Sequence, residues 1–151
     1  MKRKKIFGLL IIFLSTIIVL VIIRNSSQTE SLSELPRHSS LEDITFVDDI
    51  INIYYFWGDG CTHCADQFEF LTEINEEIGE KFTLYSFEVW FDEENVELAH
   101  EIAEMLDTTF QGVPFTVIGN QAISGFSPNE ILDAINSPNE FDIMRIIIEE
   151  G

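Results

Sequence analysis

Cysteine is scarce in this chain, with Cys61 and Cys64 the only two among 151 residues. A bridge between them would close a very small loop, and loop-closure stabilisation grows with loop size, so a purely structural disulfide would add little to folding. A zinc ribbon needs a second Cys or His pair at similar spacing, and His38 and His100 do not supply one. Copper(I) held by the two sulfurs and a Met or His stays open. Basic residues are also few. Five of the eight, Lys2, Arg3, Lys4, Lys5 and Arg24, precede Asn25, and no acid occurs before Glu30. From Asn25 onward three bases stand against 27 acids, a formal charge of −24. That balance argues against nucleic acid and anionic lipid headgroups as partners of this part; the charge serves mainly solubility, with steering of cationic proteins or peptides as the alternative. No internal repeat is visible.

What the chain does have begins with an uncharged run of 18 residues, Ile6 to Ile23, between basic flanks. At ~1.5 Å per residue it approaches the ~30 Å hydrocarbon core of a bilayer. The run ends directly on Arg24 without the small residues of a cleavage site, which favours an uncleaved anchor over a removed signal peptide. No cysteine lies in or near it, so a lipid-modified cysteine is excluded. The Lys2–Lys5 cluster outweighs Arg24, which places residues 1–24 as a cytoplasmic stub and single transmembrane helix, and everything later outside the cytoplasm. Residues 25–40, "NSSQTESLSELPRHSS", read as a flexible tether in which Arg37 and His38 have no assigned role. A folded domain is expected over 41–151.

Within it, Ile51 to Trp57 is apolar or aromatic except at Asn52, as a central strand covered on both faces should be. Cys61 to Ile78 has helical spacing through Phe68, Leu71, Ile74 and Ile78, with Glu69, Glu73, Glu76, Glu77 and Glu80 on the other faces. Phe82 to Phe91 reads as a second strand, and Glu94 to Leu106 as a second helix. Pro114–Ile118 and Gln121–Ser124 flank a Gly119-Asn120 hairpin turn. Ser127-Pro128-Asn129-Glu130 has the cap, first-turn proline and third-position acid of a helix start, followed by Ile131, Leu132 and Ile135. Periodicity leaves the tail "FDIMRIIIEE" open between helix and strand.

The order is strand, helix, strand, helix, strand, strand, helix, and "WGDGCTHC" falls in the first strand-to-helix turn. Cysteines three apart at a helix start lie on one face. Unpaired N–H groups and the helix dipole there make Cys61 the easier thiol to ionise. Protonated His63 would favour that thiolate further, and Cys64, one turn in, suits a resolving thiol. The set is that of disulfide exchange: thiolate attack, mixed disulfide, release by the second cysteine.

In these residues, "FWGDGCTHC" after a strand and "GVPFTVIGNQAISGFS" after the second helix, the chain resembles the thioredoxin superfamily, in particular its membrane-tethered bacterial thiol-disulfide oxidoreductases. The resemblance spans about Asp49 to Asn136. It implies an α/β fold with a βαβαββα core and a central mixed sheet, here preceded by one N-terminal transmembrane helix. It also implies a cis Val113-Pro114 bond beside the disulfide, where an ordinary trans proline opening an edge strand is the plainer alternative. Val113, Pro114, Trp57 and Thr62 are then implied as substrate-binding residues, and Gly125 matches the family's glycine after the last strand. Thioredoxins have Gly-Pro between the cysteines and the strongly oxidising periplasmic relatives Pro-His, whereas Thr62-His63 keeps only the histidine. Many relatives place an acid six residues before the first cysteine, and here that residue is Tyr55.

A replacement acid is Glu88, which either points to solvent or relays a proton for Cys64. Asp59 and Asp66 read as solvated, and His100 as a solvated helix residue. The expected activity is extracytoplasmic thiol-disulfide exchange with protein or peptide thiols and disulfides. Cys61, Cys64 and His63 are its catalytic residues, no cofactor or resident metal is expected, and a membrane redox partner is a further expectation. The alternative is an accessory, copper(I)- or peptide-binding module on the same fold, resembling bacteriocin-transport accessory proteins.

Overall fold

The structure is a computed structural model in which residues 39–79, 81–137 and 141–150 are described. The expected stub, anchor and most of the tether, residues 1–38, lie outside the described residues. Among the described residues no helix is long and apolar enough to cross a membrane. Chain order begins with a short 3₁₀ turn, Leu41–Asp43, which the sequence did not signal. There follow β1 (Ile51–Trp57), α1 (Thr62–Glu77), β2 (Phe82–Glu88), α2 (Glu93–Met105), β3 (Phe115–Ile118), β4 (Gln121–Ser124), α3 (Pro128–Asn136) and α4 (Ile143–Glu150).

The four strands form one mixed sheet in the order β2-β1-β3-β4. β1 pairs parallel with β2 and antiparallel with β3, and β3 pairs antiparallel with β4. Strand side chains alternate between faces. Tyr54, Phe56, Tyr85, Phe87, Phe115 and Val117 therefore meet α2 and α4 on one side. Ile53, Phe82, Ile118 and Ile123 meet Leu71 and Ile74 of α1 and Ile131, Ala134 and Ile135 of α3 on the other. Each fully buried large side chain is worth ~1.5–3 kcal/mol, and Tyr54, Tyr55, Phe56, Phe87 and Phe115 are all of this kind.

Several expectations shift. β2 ends at Glu88 and not at Phe91, because Val89 still pairs with the Trp57 carbonyl (2.9 Å) but the chain then turns. The buried stripe of α1 runs Cys64, Gln67, Leu71, Ile74, so Leu71 and Ile74 are buried as read, whereas Phe68 and Ile78 are only half-buried. Gln67 is covered because its Nε2 donates to the Thr116 hydroxyl on β3. At α3 the capping box does not close: the Ser127 hydroxyl donates to the Glu130 carboxylate (2.9 Å), and no backbone N–H reaches the Ser127 side chain. The tail is a helix. Ser39, assigned to the tether, pairs with the outer edge of β2, its N–H donating to the Ser86 carbonyl (2.8 Å) and its hydroxyl accepting from the Ser86 N–H (3.1 Å). An edge strand's unpaired backbone groups are thereby partly covered.

Candidate active site

The site forms where β1 hands over to α1. Gly58 starts the turn, and Gly60 takes a φ of +82°, a region that favours glycine. The N–H of Cys61 donates to the Gly58 carbonyl (3.0 Å), which fixes Cys61 as the residue capping α1. Its sulfur accepts the N–H of Cys64 at 3.2 Å. A cap side chain that takes a first-turn donor is the arrangement that stabilises negative charge on that atom. The two cysteines are joined as a disulfide with Cα atoms 5.2 Å apart. Cys61 is half-buried and Cys64 fully buried, so the asymmetry expected of attacking and resolving sulfurs is present.

Around the sulfurs, Tyr55, Trp57 and Cys64 make a buried cluster, and Cys61, Phe68, Leu84 and Val113 pack against it. The Val113–Pro114 bond is cis. Val113 thus packs on the same buried cluster as the cysteines, while the Pro114 carbonyl accepts the Gly125 N–H (2.8 Å). Thr62 is exposed on the first turn of α1. Trp57, in contrast, is buried and presents little surface to a client. His63 is exposed, with Nδ1 4.0 Å from the Asp66 carboxylate, which is itself solvated. Asp59 is exposed as read. His100 is exposed too, but its ring packs edge-on against Phe110, which in turn packs on Phe115 beside Pro114.

Tyr55 occupies the position where an acid was sought. Its hydroxyl donates to the Cys64 carbonyl at 2.7 Å, and burial raises its pKa far above the ordinary tyrosine range. It stays protonated and pins the first turn of α1. Glu88 is neither solvated nor free. It is buried, and its two oxygens accept three backbone N–H groups: Oε1 from Asp59 (3.1 Å) and Trp90 (3.0 Å), Oε2 from Phe91 (2.8 Å). The carboxylate clamps the loop before Cys61 to the turn after β2.

That turn holds two residues the sequence had assigned to a strand. Trp90 is 52% exposed and Phe91 81%. The Trp90 ring lies against the Gly58 backbone, so closely that a Cβ on Gly58 would sit 2.3 Å from it. The signal available in the sequence was Asp92, which caps α2 by accepting the N–H groups of Glu94 and Asn95 and so requires the strand to have ended earlier. Among the described residues no three His, Cys, Asp or Glu side chains converge as a metal site.

No family model matches the chain, and no curated protein compared with it does. Solved structures do. A thioredoxin-like protein from Clostridium perfringens is 27% identical over 65% of this chain and 76% of its own, with a TM-score of 0.49. A thioredoxin of Malassezia sympodialis is 20% identical over 58% and 74%, at 0.44. The glutaredoxin of Archaeoglobus fulgidus is 17% identical over 60% and 89%, at 0.42.

Proposed function

We propose that the chain is a thiol-disulfide oxidoreductase of thioredoxin type that exchanges disulfides with polypeptide clients through Cys61 and Cys64. The observation behind this reading is the pair itself. A half-buried sulfur at a helix start accepts a backbone N–H, is bonded to a fully buried sulfur one turn in, and packs on the same buried cluster as Val113, whose bond to Pro114 is cis.

In the oxidised protein a client thiolate attacks the Cys61 sulfur. The Cys61–Cys64 bond breaks and Cys64 leaves as a thiolate that takes up a proton. A second client thiolate then attacks the client sulfur of the mixed disulfide, releasing the Cys61 thiolate; the client gains a disulfide and the protein two electrons. The same steps run backward reduce a client. The Cys64 N–H and the helix start favour charge on Cys61 in both directions, and His63 on the open side adds to this when protonated. Tyr55, held protonated, keeps Cys64 in place.

We also place this activity outside the cytoplasm, on a domain tethered through 25–38 to a single span at 6–23. The 18-residue apolar run and its basic N-terminal flank support that placement. Trapping tests the exchange: with Cys64→Ser, a client disulfide forms a stable adduct on Cys61, read by mass spectrometry, whereas Cys61→Ser forms none. Equal labelling of both variants would remove Cys61 from its role.

A further inference from the structure

The surface beside Cys61 has a feature that exchange chemistry does not require. Trp90 and Phe91 are the two most exposed aromatics next to the site, and neither is loosely held. Glu88 binds both of their N–H groups and the Asp59 N–H, and the Trp90 ring lies on Gly58, whose carbonyl accepts the Cys61 N–H. Two contacts therefore separate the indole from the Cys61 backbone. The flanks of this aromatic pair are acidic: Asp59, Glu93 and Glu94 are exposed and Asp92 half-buried.

Among the described residues the lysines and arginines are Lys81 and Arg145, and both are elsewhere. Lys81 precedes β2 at the end opposite Glu88, roughly 20 Å away along the strand. Arg145 lies over the Phe46 ring, 4.2 Å from its centroid, and within 4.0 Å of Glu149.

Exposed aromatic side chains flanked by acids, with no lysine or arginine nearby and His63 beyond them on the first turn of α1, match one kind of partner in both polarity and charge. We propose that Trp90 and Phe91 form a docking platform for a lysine- or arginine-bearing stretch of a client polypeptide, next to the client cysteine that meets Cys61. The cations take the ring faces and the neighbouring carboxylates, and the stems of those side chains cover the rings. This rests on the exchange reading above and adds the client class.

The test separates docking from chemistry. A labelled extended peptide with serine in place of its cysteine, flanked by lysines, is titrated with the full-length chain by fluorescence anisotropy, against the same peptide flanked by glutamates. The lysine peptide binds about tenfold more tightly, as two cation–aromatic contacts would give, and the preference shrinks as salt is added. Phe91→Ala, at a side chain too exposed to affect folding, weakens the lysine peptide about two- to fivefold, and Trp90→Phe retains most of the binding. Exchange with dithiothreitol, too small to use the platform, is unchanged by Phe91→Ala. Equal affinity for the two peptides, or no effect of Phe91→Ala, overturns the platform. So does a concentration-dependent dimer abolished by Phe91→Ala, which would assign the patch to a second copy of the chain. Binding with the expected preference but no exchange with dithiothreitol or with the cysteine form of the lysine peptide would leave the platform standing and sink the oxidoreductase reading.

Discussion

Replacing Glu88 by Gln separates the two roles its position allows. The carboxylate is buried and accepts three N–H groups, two on Oε1 and one on Oε2. A glutamine of the same shape keeps its oxygen toward Asp59 and Trp90 but turns an NH₂ toward the Phe91 N–H, donor against donor. Two bonds fall from charge-assisted to neutral strength and the third is lost. With ~1–3 kcal/mol for an unsatisfied buried group and somewhat less for each weakened bond, the loss is about 2–4 kcal/mol. Water reaching the Phe91 N–H at the exposed end sets the lower figure. Urea unfolding of oxidised protein reads this directly, against a domain total of ~5–15 kcal/mol. The clamp predicts this loss with an unchanged pH profile of exchange. A proton relay to Cys64 predicts the reverse: near-wild-type stability with a displaced pH profile. That outcome would refute the clamp.

Other consequences can be checked singly. Gly58→Ala puts a Cβ 2.3 Å from the Trp90 ring, so the ring must leave; a cost of ~1–3 kcal/mol is expected, relieved in part by adding Trp90→Ala, and an unperturbed Trp90 resonance in the single variant would contradict the packing. Asp142 accepts the Tyr54 hydroxyl through both oxygens (2.9 and 2.8 Å), and burial, the leading influence, holds its pKa above the ordinary 3.8. The folded state thus binds this proton more tightly than the unfolded chain. The contribution is full below 3.8 and lost as pH rises through the folded value. Asp142→Asn should therefore gain on the wild type as pH rises across that window. Urea midpoints at stepped pH measure this, and a difference that stays constant would refute it.

Most of the architecture was legible because apolar spacing and turn chemistry agreed. Ile51–Trp57 is apolar or aromatic but for Asn52, which is buried with its Nδ2 donating to the Thr45 carbonyl (3.0 Å), and Asp92, Gly119 and Pro128 mark element ends where the backbone needs them. What was not legible depended on partners distant in sequence. Gln67 reads as polar and was left off the buried stripe, and only the Thr116 hydroxyl across the sheet makes its burial affordable. Glu88 reads as a strand residue facing water or a catalytic acid, because its three donors lie in two separate turns. Trp90 and Phe91 look like strand core by composition, and their exposure follows from a chain that bends at Glu88. The cysteine pair was the opposite case: its closeness and unequal burial are set by the first turn of one helix, a local feature, so spacing indicated them.

The most direct measurement is equilibration of the full-length chain with glutathione buffers of stepped ratio, reading the fraction of Cys61–Cys64 disulfide by alkylation and mass. The exchange reading predicts one reversible two-electron transition, with a midpoint in the range of ~−120 to ~−270 mV spanned by oxidising and reducing relatives of this chemistry. A pair that stays locked in one state across the whole range would contradict it and leave the disulfide a structural bridge.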